Sequence, residues 1–403
     1  MKENTIKLEE VIIDIAAGPF GSNLKVSCFV DDGFPIIDGA NLKGFKVTDN
    51  ITKFVTEEKA NSLYRSIAHR NDVVVTISGT LGQIAYIPED SMYEAYLCSQ
   101  RQFRVTFDAE KVFVPYIVYY FHTYEGQHKI LSFANQTGVP ALSQPLKNFK
   151  NIEVKLPAIE VQKKIASVAL SLDDKIELNN RINENLEQQA QAIFKSWFVD
   201  FEPFGGVMPE DWKIGNLLDI ADYLNGLAMQ KFRPNENENS LPVLKIKELR
   251  QGFCDNTSDL CSENIKSEYI IHDGDVIFSW SGSLLVDFWC GGTCGLNQHL
   301  FKVTSEKYNK WFYYSWTQYH LQKFISIAKD MATTMGHIKR QELKKSEVLI
   351  PNSEDYSKIE NLLSPIYDVI IANRIENKRI EELRDTLLPK LMNGEIDVSK
   401  VKI

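Results

Sequence analysis

The chain holds no run approaching the ~18 apolar residues of a membrane span, so no transmembrane helix is expected. Its N-terminus, M-K-E-N-T-I-K-L-E-E, is polar and lacks the apolar stretch of a signal peptide. Cysteine is scarce, six in 403 residues and without paired short spacing, which points to reduced thiols in a cytoplasm rather than a disulfide framework. An excess of positive charge is also missing: the net charge is −9 and its sign is spread evenly, which neither supports nor excludes a DNA partner. The motor signature G-x-x-x-x-G-K-[ST] and the zinc helix H-E-x-x-H do not occur. No carboxylate cluster with an accompanying lysine stands out as a nuclease site, although such sites are too degenerate for that to exclude one. Cys290 and Cys294 with His299 invite a metal reading, but no second cysteine pair stands at ligand spacing, so ordinary thiols are expected.

What the chain has in quantity is helix. From Val161 to Val199 there is no Pro and no Gly, and strong helix formers dominate. Two rows recur every seven residues, Ile165, Leu172, Asn179, Leu186, Ile193 and Ala169, Ile176, Asn183, Ala190, Trp197. Alternating spacings of four and three place both rows on one narrow seam, the pattern of a coiled coil about 50 Å long at ~1.5 Å per residue. Asn179 and Asn183 sit mid-seam, where polar residues fix register at a cost in stability. A second helix near the C-terminus carries Ile359, Ile366, Asn373, Ile380, Leu387 in one row and Leu362, Val369, Glu376, Leu383 in the other. N-R-I-N at 180–183 is echoed by N-R-I-E at 373–376. Two matching helices about 150 residues apart can pair antiparallel if a compact domain lies between them. The alternative, two unrelated amphipathic helices each on its own domain, is weakened by the shared phase and the shared mid-seam Asn. All seven histidines fall outside the two helices, which suits a structural role for them.

The segments between the helices read as mixed α/β, and they repeat. Strands are expected at Phe34–Ile37, Val73–Ile77, Ile84–Ile87, Phe103–Phe107 and Ile152–Leu156, broken by G-P-F-G-S at 18–22 and S-G-T-L-G at 78–82. Tyr116 to Ser132 is expected to be helical in its first part, followed by a polar, turn-rich loop at 135–150. After residue 206 the programme runs again. L-N-G at 224–226 answers A-A-G at 16–18, and L-P-V-L-K-I-K-E-L at 241–249 answers F-P-I-I-D-G-A-N-L at 34–42. D-G-D-V-I-F-S-W-S-G-S at 273–283 answers R-N-D-V-V-V-T-I-S-G-T at 70–80, and L-N-Q-H-L-F-K-V at 296–303 answers C-S-Q-R-Q-F-R-V at 98–105. The segment 335–351 answers the one ending at Pro157, and each feeds a long helix. Matches in the same order indicate an internal duplication of domain plus helix.

At this point the chain resembles a known family. L-P-A-I-E-V-Q-K-K-I-A, then K-I-E-L-N-N-R-I-N-E-N-L-E and W-F-V-D-F-E-P, look like the central conserved region of type I restriction–modification specificity subunits. I-E-E-L-R-D-T-L-L-P-K-L-M-N-G-E-I is similar to their distal conserved region. The resemblance implies an α+β chain with target-recognition domains at 1–157 and 203–351. Conserved helices at 158–202 and 352–403 would form an antiparallel two-helix coiled coil between them. It implies a non-catalytic subunit that reads a bipartite sequence in double-stranded DNA, and the N/D-P-P-Y/F motif of amino-methyltransferases is indeed not in the sequence. Two methyltransferase subunits and the motor–nuclease subunits would be its partners, in a bacterial or archaeal cytoplasm. No cofactor is expected in this chain; S-adenosylmethionine, ATP and Mg²⁺ would sit on the partners. The reading left as an alternative is a non-enzymatic structural or DNA-mimicking coiled-coil protein, which the negative charge favours.

DNA-contacting residues are expected on polar tips after strands. In the first domain these are Lys43, Ser78, Gly79, Thr80, Arg101, Gln136 and Thr137; in the second they are Lys247, Arg250, Ser281, Ser283, Gln298, His299, Thr333, Thr334, His337, Lys339 and Arg340. Arg and Lys pair with guanine or phosphate and Gln with adenine, while hydroxyls and glycine-turn amides suit phosphates. The competing reading is that the glycines serve tight turns and the lysines are merely solvated.

Overall fold

The computed structural model describes residues 4–135, 139–330 and 338–400. It forms two compact units, Met1–Asp174 with Glu381–Ile403, and Lys175–Ile380. Each unit holds one of the two mixed α/β domains and part of both long helices, which run over Ile159–Phe198 and Ser353–Met392.

Within the first unit, runs of β-branched and aromatic residues build an antiparallel sheet in the order Ile12–Ala17, Gln102–Phe107, Val73–Thr76, Ile84–Tyr86. A second sheet contains Phe29–Val30, Phe54–Val55, Phe34–Ile37, Ala95–Cys98 and Ile67–His69, with Phe34–Ile37 and Ala95–Cys98 parallel. The first and last strands, Asn4–Lys7 and Glu153–Leu156, pair antiparallel, so the domain closes where the chain enters the central helix. The segment expected to be helical only at first is helical in two pieces, Val114–His122 and Tyr124–Leu131. Thr123 takes an extended conformation between them, and its hydroxyl accepts the Gly126 N–H at 3.2 Å, capping the second piece.

The second unit repeats this plan. Asp222–Asn225, Leu300–Thr304, Val276–Ser279 and Leu285–Phe288 form the matching antiparallel sheet. Ser240–Leu244 lies parallel to Cys294–Leu296 in the matching second sheet, and Lys213–Asn216 with Glu347–Ile350 is the matching closing ribbon. Its helix, Lys310–Asp330, is unbroken. The duplication extends to single hydrogen bonds. Gln162 Oε1 accepts the Phe113 N–H at 2.9 Å, and the Tyr356 hydroxyl accepts the Asn309 N–H at 2.9 Å. Each ties the start of a long helix to the residue that opens the domain's own helix.

The two long helices pack against each other inside both units. In the first unit, Ile165, Ala166 and Ala169 share a core with Leu388, Leu391, Tyr116 and Tyr119. Arg384 Nη1 donates to Asp173 Oδ1 at 2.5 Å, and the Tyr119 hydroxyl donates to the other oxygen of that carboxylate. In the second unit the seam is amide. Asn373 Nδ2 donates to Asn183 Oδ1 at 2.9 Å, Asn179 Nδ2 to Asn377 Oδ1 at 2.8 Å, and Asn377 Nδ2 to Asn180 Oδ1 at 2.8 Å. As numbers rise on one helix they fall on the other, so the pair is antiparallel. Further along, Leu186 and Ile193 are half-buried against an aromatic core of Phe194, Phe198, Trp212, Phe312 and Trp316.

One heptad row differs from expectation. On the distal helix Leu362, Val369 and Leu383 are 45, 44 and 48% exposed, while Ile359 is buried and Ile366, Ile380 and Leu387 are half-buried. Leu363, Tyr367, Ile370 and Ile371 are buried instead. The expected row assumed that only the partner helix had to be covered. Tyr367 also packs against Phe288 and, edge to face, Tyr314 of the second domain, with centroids 5.5 and 5.2 Å away, so the buried face is turned by one residue, about 100°. On the central helix Ile165, Asn179 and Asn183 are buried, and Leu172 and Ile176 are half-buried.

Two outcomes follow from the packing. Asn183→Ala removes the acceptor of Asn373 inside the seam and is expected to cost about 1–3 kcal/mol. Replacing both Asn183 and Asn373 by Leu should recover most of that loss, read from denaturant midpoints. A Cβ on Gly18 would meet the Ser99 carbonyl oxygen at 1.8 Å, and one on Gly226 would meet that of Asn297 at 2.2 Å. Gly18→Ala and Gly226→Ala should each destabilise by about 1–3 kcal/mol or more, with hydrogen-exchange protection falling in the sheet of the altered domain and not in the other.

Candidate nucleic-acid interface

The close approach of Gly18 to Ser99 draws the loop before Gln102–Phe107 against the end of Ile12–Ala17, where the Gly18 N–H donates to the Gln102 carbonyl at 2.8 Å. A cleft of about 600 Å³ opens beside this junction. Ser78, Gly79, Thr80 and Arg101, expected from the sequence to touch DNA, all line it, together with Asp38, Lys53, Gln83, Gln100 and Gln102. Gly79, at φ +99°, makes the turn that carries Ser78 and Thr80, and its N–H donates to the Pro140 carbonyl at 3.0 Å. Gln83 accepts from the Thr76 hydroxyl at 3.0 Å and donates to the Gly39 carbonyl at 2.9 Å, fixing one wall. Lys43 is exposed but does not line the cleft.

The second domain has its own cleft in the equivalent place, about 420 Å³, lined by Lys245, Ile246, Lys247, Asp259, Ser281, Asn297, Gln298 and His299 among others. Ser281 stands where Ser78 does, and Gln298 and His299 where Gln100 and Arg101 do. The Ser281 hydroxyl lies 3.1 Å from His299 Nδ1, which orients the ring. Lys247 Nζ donates to the Thr257 hydroxyl at 2.7 Å and pairs with Asp255 at 3.2 Å. Hydrogen bonds from Thr257 and Lys247 hold the Asp255 carboxyl far below the usual range.

Arg250, Ser283, Lys339 and Arg340 are exposed and outside this cleft; Arg340 Nη1 donates to the Tyr223 carbonyl at 3.2 Å. Gln136, Thr137, Thr333, Thr334 and His337 lie outside the described residues. Sequence reasoning missed Asp38, Lys53, Gln83 and Gln100 in one cleft and Lys245, Asp259 and Asn297 in the other. The repeat alignment carried a signal for part of this set, since it sets Gln100 opposite Gln298 and Asp38 opposite Lys245. Among the described residues no group of three or more His, Cys, Asp or Glu is placed to hold a metal ion, and Cys290 Sγ lies against the Phe288 and Ile371 carbonyls. Among them, too, no helix is long and apolar enough to cross a membrane.

Comparison with known proteins bears on what these clefts belong to. The chain is 27% identical over 368 residues to the type I restriction enzyme MjaIX specificity subunit of Methanocaldococcus jannaschii, covering 86% of this chain and 82% of that one. It is 25% identical over 318 residues to the HindI specificity subunit of Haemophilus influenzae, covering 61% and 69%. The crystal structure of a type I restriction–modification S subunit from M. genitalium shares the fold, with a TM-score of 0.57 at 14% identity over 97% of this chain and 96% of that one. The model of the type I restriction modification DNA specificity domain matches twice, at residues 24–188 and 209–384, one copy for each recognition domain. With two such copies spanning most of its length, the chain belongs to the family of type I restriction–modification DNA specificity proteins.

Proposed function

We propose that this chain reads a bipartite site in double-stranded DNA, each recognition domain taking one half-site through its cleft and the turns around it. The observation that carries this is the pair of equivalent clefts, built by the same strands and turns, which share a serine and a glutamine but otherwise differ in lining, as at Arg101 and His299 or Asp38 and Lys245. Similar readers with unlike linings suit two half-sites of different sequence. Hydroxyl and amide groups beside Arg101 in one cleft and His299 in the other supply the donors and acceptors that base edges and phosphates require.

In this reading the paired long helices set the spacing between half-sites and dock two methyltransferase subunits on their outer faces, with motor–nuclease subunits completing the complex. The chain itself performs no catalysis. S-adenosylmethionine, ATP and Mg²⁺ belong to those partners, and the assembly works in the cytoplasm, where the DNA is.

The direct test is to express the chain with its methyltransferase subunit and map modified bases across the genome. A single motif of two fixed half-sites around unspecified bases is expected; modification without such a motif would end the proposal. Exchanging residues 205–351 for the same segment of a relative should change one half-site and leave the other. Adding one heptad to both long helices lengthens each by about 10.5 Å, so the spacer should grow by about three base pairs at ~3.4 Å each with both half-sites retained.

A further inference from the structure

Two positions in the paired clefts correspond by hydrogen bonding, not merely by alignment. The Ile36 N–H donates to the Lys53 carbonyl at 3.0 Å, and the Val243 N–H donates to the Asp259 carbonyl at 2.7 Å. Lys53 and Asp259 therefore hold the same place beside the same strand. Two residues beyond Ile36 and Val243 come Asp38 and Lys245. The Asp38 N–H donates to Asn41 Oδ1 at 3.1 Å, and the Lys245 N–H donates to Glu248 Oε2 at 3.2 Å, so these two residues also correspond.

Across each cleft wall the two positions form an ion pair of the same length. Lys53 Nζ stands 2.5 Å from Asp38 Oδ2, and Lys245 Nζ stands 2.5 Å from Asp259 Oδ2. The geometry is kept and the polarity is reversed. The more exposed partner is the lysine in the first domain, 45% against 24% for Asp38, and the aspartate in the second, 66% against 42% for Lys245. Asp38 also caps the Gly39–Asn41 turn by accepting the Ala40 N–H at 2.8 Å, but solvated pairs of this kind contribute little to stability. Their place on the walls of the clefts gives the sign a different consequence. The group facing outward at the shared position is a donor in one domain and an acceptor in the other. An ammonium favours the O6 and N7 acceptors of guanine, whereas a carboxylate accepts from the N4 amino group of cytosine and is repelled by phosphate.

We infer that the Asp38–Lys53 and Lys245–Asp259 pairs are specificity-determining, and that their opposite polarity makes the two domains select base pairs of opposite donor–acceptor character at the equivalent position of each half-site. The inference rests on the reading that each domain takes one half-site. It adds which residues discriminate and in which direction.

The test uses the full chain co-expressed with its methyltransferase subunit and reads the modified motif by sequencing. The double substitution Asp38→Lys with Lys53→Asp preserves the pair while giving the first domain the polarity of the second. One base pair of the first half-site should change or relax by about 10-fold in preference, the yield of roughly one lost base contact, while the second half-site stays as it was. Lys245→Asp with Asp259→Lys should do the converse. If the wild type shows a bipartite motif and both double variants keep it unaltered, or if either alters both half-sites together, the inference falls and the two-half-site reading stands. A wild type without any bipartite motif removes that reading itself. Should a double variant lose its melting transition, Lys53→Gln and Asp259→Asn, which only neutralise the outward group, decide the matter. Relaxation at one position of the matching half-site supports the inference, and an unaltered preference overturns it.

Discussion

Four asparagines settle which residue of one long helix faces which residue of the other. Asn179, Asn183, Asn373 and Asn377 are mostly withdrawn from water, and each must find an amide partner or leave a polar group unpaired at a cost of about 1–3 kcal/mol. A leucine seam tolerates sliding by a heptad, because one apolar knob fits much like the next. An amide seam does not, since a slip separates every donor from its acceptor. Arg374 reinforces the setting by reaching Glu187 on the other helix at 2.9 Å and Asp287 of the second domain at 2.6 Å. Helix register and domain attachment in that unit are thus fixed by the same few side chains.

Each recognition domain closes on itself by a short ribbon between its own first and last strands. The long helices also belong to each domain's core: Phe194, Phe198, Ile359 and Leu363 lie in one cluster with Phe278 and Phe288 of the second domain, and Ile165 and Leu388 in one with Tyr116 and Tyr119 of the first. Within each domain the cleft owes its position to a glycine that lets two backbones approach more closely than any side chain would allow, Gly18 against Ser99 and Gly226 against Asn297. The glycines are therefore shared between the domains while several residues that face the cleft, Arg101 and His299 or Asp38 and Lys245 among them, differ, as one expects of parts that hold a common shape and discriminate between different partners.

Much of this architecture was legible in the sequence because it rests on periodicity and order. Short runs of β-branched and aromatic residues marked Phe34–Ile37, Val73–Thr76 and Ile84–Tyr86 to within a residue, and the repeated order of short matches exposed the duplication. The mid-seam asparagines stood out because they interrupt an apolar row. Leu362, Val369 and Leu383 misled because a heptad pattern records spacing along one helix and cannot say that a domain, as well as a helix, must be covered. The charged pairs in the clefts escaped for a related reason. Asp38 and Lys53 are separated by the Gly39–Asn41 turn and a loop, and nothing local to either announces the other; the pair exists once the sheet is folded. That Ser78, Gly79, Thr80 and Arg101 share one cleft was within reach of the sequence, because turn chemistry and side-chain type coincide there.

Gln162 and Tyr356 share no chemistry beyond an oxygen that accepts, yet they perform the same task at the roots of the two long helices. Burial pushes the Tyr356 phenol up to about 12, so it remains neutral over the range in which the amide of Gln162 is also unchanged. What the two halves share at this joint is the location of a lone pair, and a comparison of halves by identity alone would miss it.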